Sequence, residues 1–338
     1  MRQALIAFCG LAAFAVGTAA ARLPAWQWNL LADIAAPPVP ADNPMSAAKV
    51  ELGRRLFYDA DLSLDGTMAC ASCHVQRHAF ADSIPTRGGV NGEPGRRNAP
   101  GLANVAYLTP LTWADPRLST LEVQAVEPMF GDHPVEMGMK GQEAELVRRL
   151  SRDECYRQMF RKAFPSERGT IDAKSVGKAL AAFERTLLSY NSPYDRDRTG
   201  EAGALSESAR RGKTLFAEQC AACHAGVNLT DQRFHTIERP ASRSDDGLFE
   251  VTGRAEDKGK FRTPSLRNVS LTAPYMHDGS ASSLDEAIRR HALAVPAVDR
   301  LTIEQTTDLI AWLGALTDPA FVSDPKFAYP DHICGKAT

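Results

Sequence analysis

The chain has 338 residues, enough for two domains of ordinary size. Hydrophobic residues make up 44% of it and charged residues 24%, as in a soluble globular protein. Its 39 Lys and Arg nearly balance its 41 Asp and Glu, for a net charge of -2. This balance excludes the strongly basic proteins that bind nucleic acid or anionic membranes, so neither is expected as a partner.

The first 21 residues have the pattern of a secretory signal peptide. A basic start at Arg2 is followed by an apolar run over residues 4–17 and by small residues at 18–21. The run is too short to span a bilayer. We therefore expect cleavage and a mature chain without a stable membrane span, in a bacterial periplasm or its equivalent. An uncleaved N-terminal anchor is the alternative.

The seven cysteines fit export to an oxidising compartment. Cys9 would leave with the signal peptide, and four others belong to the two motifs described below. Cys155 and Cys334 remain, and such a compartment permits a disulfide between them. Two free buried thiols are the alternative, because the sequence does not give their separation.

Local patterns predict the first elements of the mature chain. Residues 22–45 are rich in Pro, Ala and Trp and are predicted to form an extended arm. Ser46 then opens a helix, in which Leu52 and Leu56 lie four residues apart on one face. We expect this helix to end near Asp59.

One sequence pattern occurs twice. Residues 52–57 end in Leu-Phe and precede Cys-Ala-Ser-Cys-His at 70–74, and residues 211–216 end in Leu-Phe and precede Cys-Ala-Ala-Cys-His at 220–224. This shared order predicts an internal duplication. The polar stretch 191–203, with Pro193 and Gly200, is the predicted boundary. It gives an N-terminal domain of residues 46–195 and a C-terminal domain of residues 196–338.

Helical patterns occur in both predicted domains. Apolar residues recur at helical spacing between Val176 and Leu187. Residues 263–279 are predicted to be a loop. Ser283 and Thr302 each precede a Glu or Gln by three residues, a capping box that opens a helix. Pro296 limits the first of these helices. The fold is therefore predicted to be mostly α.

Each Cys-x-x-Cys-His sequence is an attachment motif for haem c. A redox-active cysteine pair does not need the histidine, and a structural zinc site would use similar ligands. Two complete motifs after an export signal favour haem, hence two cytochrome c-like domains, each with one covalently bound haem c. The predicted thioether and proximal ligand residues are Cys70, Cys73 and His74 in the first motif and Cys220, Cys223 and His224 in the second.

The ligand on the opposite face of each iron decides function. An electron carrier fills this position with Met or His, whereas an enzyme leaves one iron open for peroxide. For the first haem the candidates are Met68, His78 and His133. His78 follows His74 too closely to reach the opposite face.

Several short motifs flank the two haem motifs. In chain order they are LSLDGTMA at 62–69, AFAD at 79–82, RNAP at 97–100, PVEMG at 134–138, TPSLRN at 263–268 and APYMHDG at 273–279. Together they resemble the bacterial di-haem cytochrome c peroxidase and MauG family over roughly residues 45–320. Segments 41–45 and 128–134 are most similar to the MbnH branch, whose members act beside a copper-binding partner protein.

The resemblance implies that the N-terminal haem is the peroxide site. The family's distal glutamate, in Pro-Val-Glu-Met, matches Glu136, and an upstream glutamine matches Gln124. A carboxylate above iron can move a proton between the two peroxide oxygens. A helix cap or a salt bridge is the alternative role for Glu136. Two extra residues separate Gln124 from Glu136 relative to many members, which weakens the match of Gln124.

The resemblance also implies two features between the haems. Trp113 matches a tryptophan that relays electrons between them, although a buried core residue is the commoner role of tryptophan. A calcium ion would be bound by Asn98 and by the backbone carbonyls of Thr272 and Pro274, since such oxygen ligands suit calcium. From the residues alone, these three would be turn formers.

For the second iron, the resemblance points to a position seven residues after the Leu that follows the Pro-Tyr-x-His-Asp-Gly loop. Peroxidases have Met there and MauG has Tyr, whereas counting from Leu284 gives His291 in this chain. Leu284, Ile288 and His291 share one helical face, which would direct His291 at the haem. The alternatives are a histidine that interacts with the helix dipole, and ligation by Met276 or His277.

These features imply an enzyme. Hydrogen peroxide would oxidise the open haem, and the second haem and Trp113 would share the oxidising equivalents in a high-valent, bis-ferryl-type state. Family peroxidases take electrons from a small cytochrome or copper protein, MauG-like members oxidise a partner protein, and MbnH-like members are associated with conversion of a partner tryptophan to kynurenine. We predict this last reaction. A non-catalytic di-haem electron carrier is the alternative of another class, and Glu136 argues against it.

One family feature is missing. MauG has a surface tryptophan two residues before the first cysteine of its second motif, through which it oxidises its partner, and this chain has Glu218 at that position. The other tryptophans are Trp26 and Trp28 in the arm and Trp312 in the last helix. None of them is an obvious replacement.

Overall fold

The computed structural model describes residues 26–237, 245–333 and 336–337, and over these ranges the prediction of a mostly α fold is confirmed. The predicted signal peptide, residues 1–21, lies outside them. The α-helices, labelled α1 to α13 in chain order, are Ala47–Phe57, Cys70–Cys73, Leu121–Gln124, Glu127–Phe130, Glu143–Arg152, Glu154–Ala163, Ala173–Glu184, Pro193–Arg198, Glu207–Gln219, Phe249–Thr252, Leu284–Arg290, Ile303–Gly314 and Pro319–Ser323.

The strands of the described residues are short, and none of the helices there could span a membrane. The strands β1 to β4 are two residues long and form two antiparallel pairs, Phe234–His235 with Phe261–Arg262 and His332–Ile333 with Lys336–Ala337. Across the described ranges, no helix has the length and apolar character needed to cross a membrane.

Local capping signals fix where three helices begin. The Ser46 side chain accepts the backbone N–H of Lys49, and α1 ends at Phe57, two residues before the predicted end. Ser283 caps α11 and Thr302 caps α12, both as predicted. A side-chain oxygen at each N-cap satisfies a backbone donor that the helix leaves unpaired, which explains why these starts can be predicted from sequence.

The two halves of the chain share one packing arrangement. In the N-terminal half α1 packs on α7, and a Cβ added to Gly53 would lie 1.9 Å from the Ala179 carbonyl oxygen. In the C-terminal half α9 packs on α12, and a Cβ added to Gly212 would lie 1.9 Å from the Asp308 carbonyl oxygen. Only glycine permits so close an approach. This repeated contact supports the predicted internal duplication.

Each half has its own hydrophobic core. The N-terminal core contains the predicted apolar positions, namely Leu52, Leu56 and Phe57 of α1, Val176, Leu180 and Phe183 of α7, and Leu187 just beyond α7. Leu309, Ile310, Leu313 and Leu316 have the spacing of one helical face in the sequence; Leu309, Leu313 and Leu316 lie in the C-terminal core with Trp312, whereas Ile310 is only half-buried. The apolar spacing read from the sequence therefore identifies the buried faces correctly.

The chain crosses between the halves more than once. Asp195 in α8 forms a buried ion pair with Arg267 at 2.8 Å, which ties the predicted boundary region to the C-terminal half. Beyond α12, Phe321 and Phe327 pack into the N-terminal core. The Tyr58 hydroxyl donates to the Phe327 carbonyl at 2.8 Å. The division at residues 195 and 196 stays a prediction, and the last segment packs against the first half.

Two further predictions concern the chain ends. Residues 26–46 contain no helix or strand, and the predicted arm is anchored by the fully buried Asn43, whose amide donates to Glu122 and to the Lys178 carbonyl. Cys155 is disulfide-bonded. Its predicted partner, Cys334, lies outside the described residues.

Candidate haem sites

The first Cys-x-x-Cys-His motif forms the short helix α2. His74 follows it, and its Nδ1 is 2.7 Å from the Phe80 carbonyl oxygen. A carbonyl can only accept, so Nδ1 holds the proton and Nε2 keeps the lone pair that a metal needs. Burial lowers the pKa of His74 and raises that of Cys73 to about 12. A neutral imidazole beside two reduced cysteines fits a covalently attached haem.

The second motif repeats this geometry. His224 Nδ1 is 3.2 Å from the Leu229 carbonyl oxygen, which again leaves Nε2 as the metal-binding atom. Burial is the largest cause that lowers the pKa of His224 to about 4. Phe216 lies 6.5 Å from the His224 ring, as Phe57 lies 6.4 Å from that of His74. The Leu-Phe end of each repeat therefore packs beside a histidine.

A cavity of about 340 Å³ opens beside the second motif. Its walls are mostly apolar and include Cys220, Cys223, His224 and His291. The ring centres of His224 and His291 are 6.4 Å apart. Two iron–nitrogen bonds of about 2 Å, with roughly 1 Å from each nitrogen to its ring centre, require about 6 Å. The cavity and its two histidines thus fit a haem that both imidazoles would hold.

The structure distinguishes the candidates for the second iron by their surroundings. His291 follows the last residue of α11, and its Nδ1 is 2.8 Å from the Ala287 carbonyl oxygen, so its Nε2 keeps the lone pair. His277 instead stacks on Phe261, with ring centres 3.7 Å apart. Met276 lines the same cavity with a backbone φ of 73°. The ring spacing favours His291, and its ligation stays a prediction.

Trp113 lies on the wall of this cavity that the N-terminal half supplies. Its indole Nε1–H donates to the Asn98 carbonyl at 2.8 Å, and its own carbonyl accepts the Arg262 N–H at 2.7 Å. These two bonds fix Trp113 between the halves of the chain. The predicted relay position is thus geometrically reasonable and stays a prediction.

Glu136 lies near the first haem motif. Its charge acts on the pKa of both Cys70 and Cys73, and its backbone carbonyl accepts the Val90 N–H at 2.8 Å. Burial, followed by the charge of Glu127, raises the pKa of the Glu136 carboxyl. A half-buried carboxyl with a raised pKa suits proton transfer.

The other residues predicted around the first haem are Gln124, His133, His78 and Met68. Gln124 is the last residue of α3 and is half-buried. The side chain of His133 is 92% exposed, which makes it a surface residue. His78 Nδ1 lies 3.3 Å from the Leu271 carbonyl oxygen in the C-terminal half. The roles of Gln124 and Met68 stay predictions.

The residues predicted for calcium all line the apolar cavity beside the second motif. The Asn98 amide nitrogen donates to the carbonyls of Ile84 and Pro85 at 3.0 and 3.1 Å. This arrangement leaves the amide oxygen of Asn98 available as a ligand. Thr272 and Pro274 are on the same wall. The set suits a cation that prefers oxygen, and calcium stays a prediction.

Sequence reasoning missed two buried charged residues. Arg262 in β2 is 3% exposed, and burial lowers its pKa to about 10. It lines the apolar cavity beside the second motif and donates to the carbonyls of Thr112 and Thr263. Glu184 has a buried oxygen, Oε2, without a hydrogen-bond partner, and burial raises its pKa to about 8. A lone carboxylate in the apolar helix α7 was the available sequence signal.

Comparisons with known proteins identify the family. The family model for di-haem cytochrome c peroxidase matches residues 47–203, and that for cytochrome c matches residues 209–317. The chain is 37% identical to the methylamine utilization protein MauG of Methylophilus methylotrophus, over 82% of this chain and 85% of that protein. It is 32% identical to the cytochrome c551 peroxidase of Pseudomonas aeruginosa, over 85% of this chain and 82% of that protein.

A solved structure agrees with both matches. The crystal structure of a MauG-like protein associated with microbial copper homeostasis superposes with a TM-score of 0.85 at 39% identity. The match covers 90% of this chain and 99% of the other. Two cytochrome c-like halves, each with its own Cys-x-x-Cys-His motif, account for these similarities. The chain therefore belongs to the di-haem cytochrome c peroxidase and MauG family.

Proposed function

We propose that this protein is a periplasmic, peroxide-dependent di-haem oxidoreductase that oxidises a partner protein, and that the oxidised residue is a tryptophan converted to kynurenine. The observation that carries the proposal is the pair of imidazoles, His224 and His291, whose ring centres are 6.4 Å apart. If His224 and His291 both bind the second iron, that iron would be closed to peroxide, and the reaction with peroxide would be restricted to the His74 site. The 39% identity to the MauG-like structure supports a protein substrate.

Imidazole in place of methionine at the second iron would lower the reduction potential of that haem. A methionine ligand raises the potential of a haem, so two histidines favour its oxidised form. When bound, the two haems supply the reaction with peroxide and hold the oxidising equivalents that it yields. A low potential at the second site favours storage of these equivalents over rapid return of electrons from a small donor.

The chain's own residues would hold the two haems and move the proton. Cys70 and Cys73, and Cys220 and Cys223, would form the thioethers, and His74, His224 and His291 would bind the irons. The buried guanidinium of Arg262 suits the haem carboxylates, because a buried charge is stabilised by an opposite one. Glu136 takes a proton from one peroxide oxygen and returns it to the other.

Trp113 is suited to pass an electron between the sites. Its Nε1–H donates to a backbone carbonyl, that of Asn98, which cannot accept the proton outright. An oxidised indole held in this way keeps its Nε1 proton. The indole can therefore be reduced again by one electron, without taking up a proton. In the proposed function the tryptophan is therefore a reversible relay between the two haems.

A diffusible donor is the second candidate outcome, and Glu218 is the observation that favours it. This residue is exposed at the position where MauG has a surface tryptophan. Without an aromatic residue there, a small cytochrome or copper protein could still deliver electrons to a haem edge. The similarity to cytochrome c peroxidases agrees with this alternative.

The test combines the enzyme, peroxide and the candidate copper-binding partner, followed by peptide mass mapping of the partner. We expect a partner tryptophan to gain the mass change of kynurenine. Trp113→Phe should slow this modification without loss of haem content. An unmodified partner, together with fast peroxide turnover when a reduced small cytochrome is supplied, would establish the peroxidase alternative. An optical spectrum with both haems low-spin would instead indicate an electron carrier.

A further inference from the structure

A polar cleft of about 510 Å³ lies at the end of α1, outside the sites described above. Three tyrosines line it, Tyr58, Tyr156 and Tyr329, together with arginines and aspartates. Tyr329 is 48% exposed, so the cleft is open to solvent. Arg55 lies 3.7 Å from the Tyr156 ring centre and pairs with Asp153 at 2.6 Å.

A continuous series of aromatic rings connects this cleft with the first haem ligand. The ring of His74 is 6.4 Å from that of Phe57, which is 5.4 Å from that of Tyr58. Tyr58 is in turn 5.8 Å from Tyr329. All these distances are between ring centres and lie within the range of aromatic contacts. The path thus runs from the metal ligand to an exposed tyrosine on one end of the first half.

The three tyrosines differ in where a phenol proton can go. The Tyr58 hydroxyl donates to a backbone carbonyl, that of Phe327, which is not a base. The Tyr156 hydroxyl donates to the Asp59 carboxylate, which can accept a proton. Oxidation of a phenol releases its proton, so of Tyr58 and Tyr156 it is Tyr156 that can be oxidised without a charge left in the protein interior, whereas the exposed Tyr329 faces solvent.

We propose that this cleft is a second outlet for oxidising equivalents, at which a small phenolic reductant is oxidised. The inference rests on the proposed reaction with peroxide at the His74 haem. Tyr156 lines the same cleft as Tyr58 and gives one electron across it to Tyr58 and on, by way of Phe57, to the oxidised haem, while its proton moves to Asp59. The phenol then returns one electron to Tyr156, Asp59 returns the proton, and the phenol's own proton goes to water. Two phenols are oxidised for each peroxide reduced to water.

The chemistry of the cleft suits this class of reductant. Its charges are balanced, with Arg55 paired to Asp153, so neither an anion nor a cation is favoured. The exposed ring of Tyr329 offers a surface on which another aromatic ring can stack. The outlet also lies in the half opposite to Glu218, where the aromatic exit of MauG is missing.

The test uses the haem-loaded protein, peroxide and guaiacol, a methoxyphenol, as the probe. Tyr156→Phe keeps the ring but removes the hydroxyl. Asp59→Asn removes the base, and its amide oxygen can still accept the Asp61 N–H that Asp59 now accepts at 2.8 Å. We expect both variants to lose the tyrosyl radical signal in electron paramagnetic resonance and to oxidise guaiacol slower by about tenfold or more. Haem content and the rate of the haem reaction with peroxide should stay unchanged.

Tyr107→Phe is the matched control, because Tyr107 is an aromatic residue whose hydroxyl donates to the Ala35 carbonyl, away from this cleft. It should leave both the radical and guaiacol oxidation unaltered. A wild-type protein whose haems react with peroxide but give no tyrosyl signal would overturn the outlet alone. So would guaiacol oxidation that is equally fast in Tyr156→Phe and Asp59→Asn. Haems that do not react with peroxide would overturn the proposed function as well.

Discussion

Replacement of Glu136 by glutamine is the most direct test of the peroxide site. The side chain is half-buried, and burial together with Glu127 raises its pKa, so the environment favours proton transfer at that carboxyl. Glutamine keeps the shape but cannot exchange a proton. General acid–base catalysis contributes on the order of 10²–10⁴ in rate, which corresponds to about 3–5 kcal/mol in the barrier. We expect Glu136→Gln to slow the reaction with peroxide by this factor.

The assay is stopped-flow absorbance of the first haem after mixing with peroxide, across a pH series. The ionised form of Glu136 is the base, so the rate should rise as the pH increases through its raised pKa. Glu127→Gln removes a neighbouring negative charge, lowers the pKa of Glu136, and should move this rise to lower pH. Glu143→Gln, at the exposed start of α5, is the control and should change neither the rate of the reaction with peroxide nor its pH dependence. Unchanged peroxide kinetics in Glu136→Gln would refute the assignment.

Three further predictions concern the second iron and the packing. His291→Ala should convert the low-spin haem to high-spin in optical and electron paramagnetic resonance spectra, and an unaltered low-spin signal would show that another residue is the ligand. In thermal melts, Gly53→Ala should lower the free energy of unfolding by about 1–3 kcal/mol or more, because the added Cβ would lie 1.9 Å from the Ala179 carbonyl oxygen. Gly314→Ala is the control and should be neutral or stabilising, because a Cβ added there meets nothing within 4 Å. Burial raises the pKa of Glu184 to about 8, so this carboxyl ionises at lower pH in the unfolded chain than in the folded one. The free energy of unfolding should therefore fall between pH 4.5 and 8, by up to about 1.4 kcal/mol per pH unit. Glu184→Gln should remove much of this slope in denaturant titrations, and an equal slope in both proteins would contradict the reasoning.

The sequence by itself determined the features that depend on neighbouring residues. The two Cys-x-x-Cys-His motifs carry their own chemistry within five consecutive positions. The helix starts at Ser46, Ser283 and Thr302 follow from a side chain that caps the next turn. The buried faces of α7 and α12 follow from apolar spacing, because a helix places every third or fourth residue on one side. The family motifs then implied Glu136, Trp113 and His291 as candidates.

Only the tertiary structure decided how distant residues meet. His291 comes 67 residues after His224, and α11 must pack beside the second motif before their rings can lie 6.4 Å apart. Phe327 enters the core of the first half, a contact that no local pattern indicates. Arg262 and Glu184 read as ordinary charges in the sequence, and their unusual pKa values arise because packing removes water from them. Spacing along the chain fixes helical faces, whereas burial and the distance between faces depend on the assembled fold.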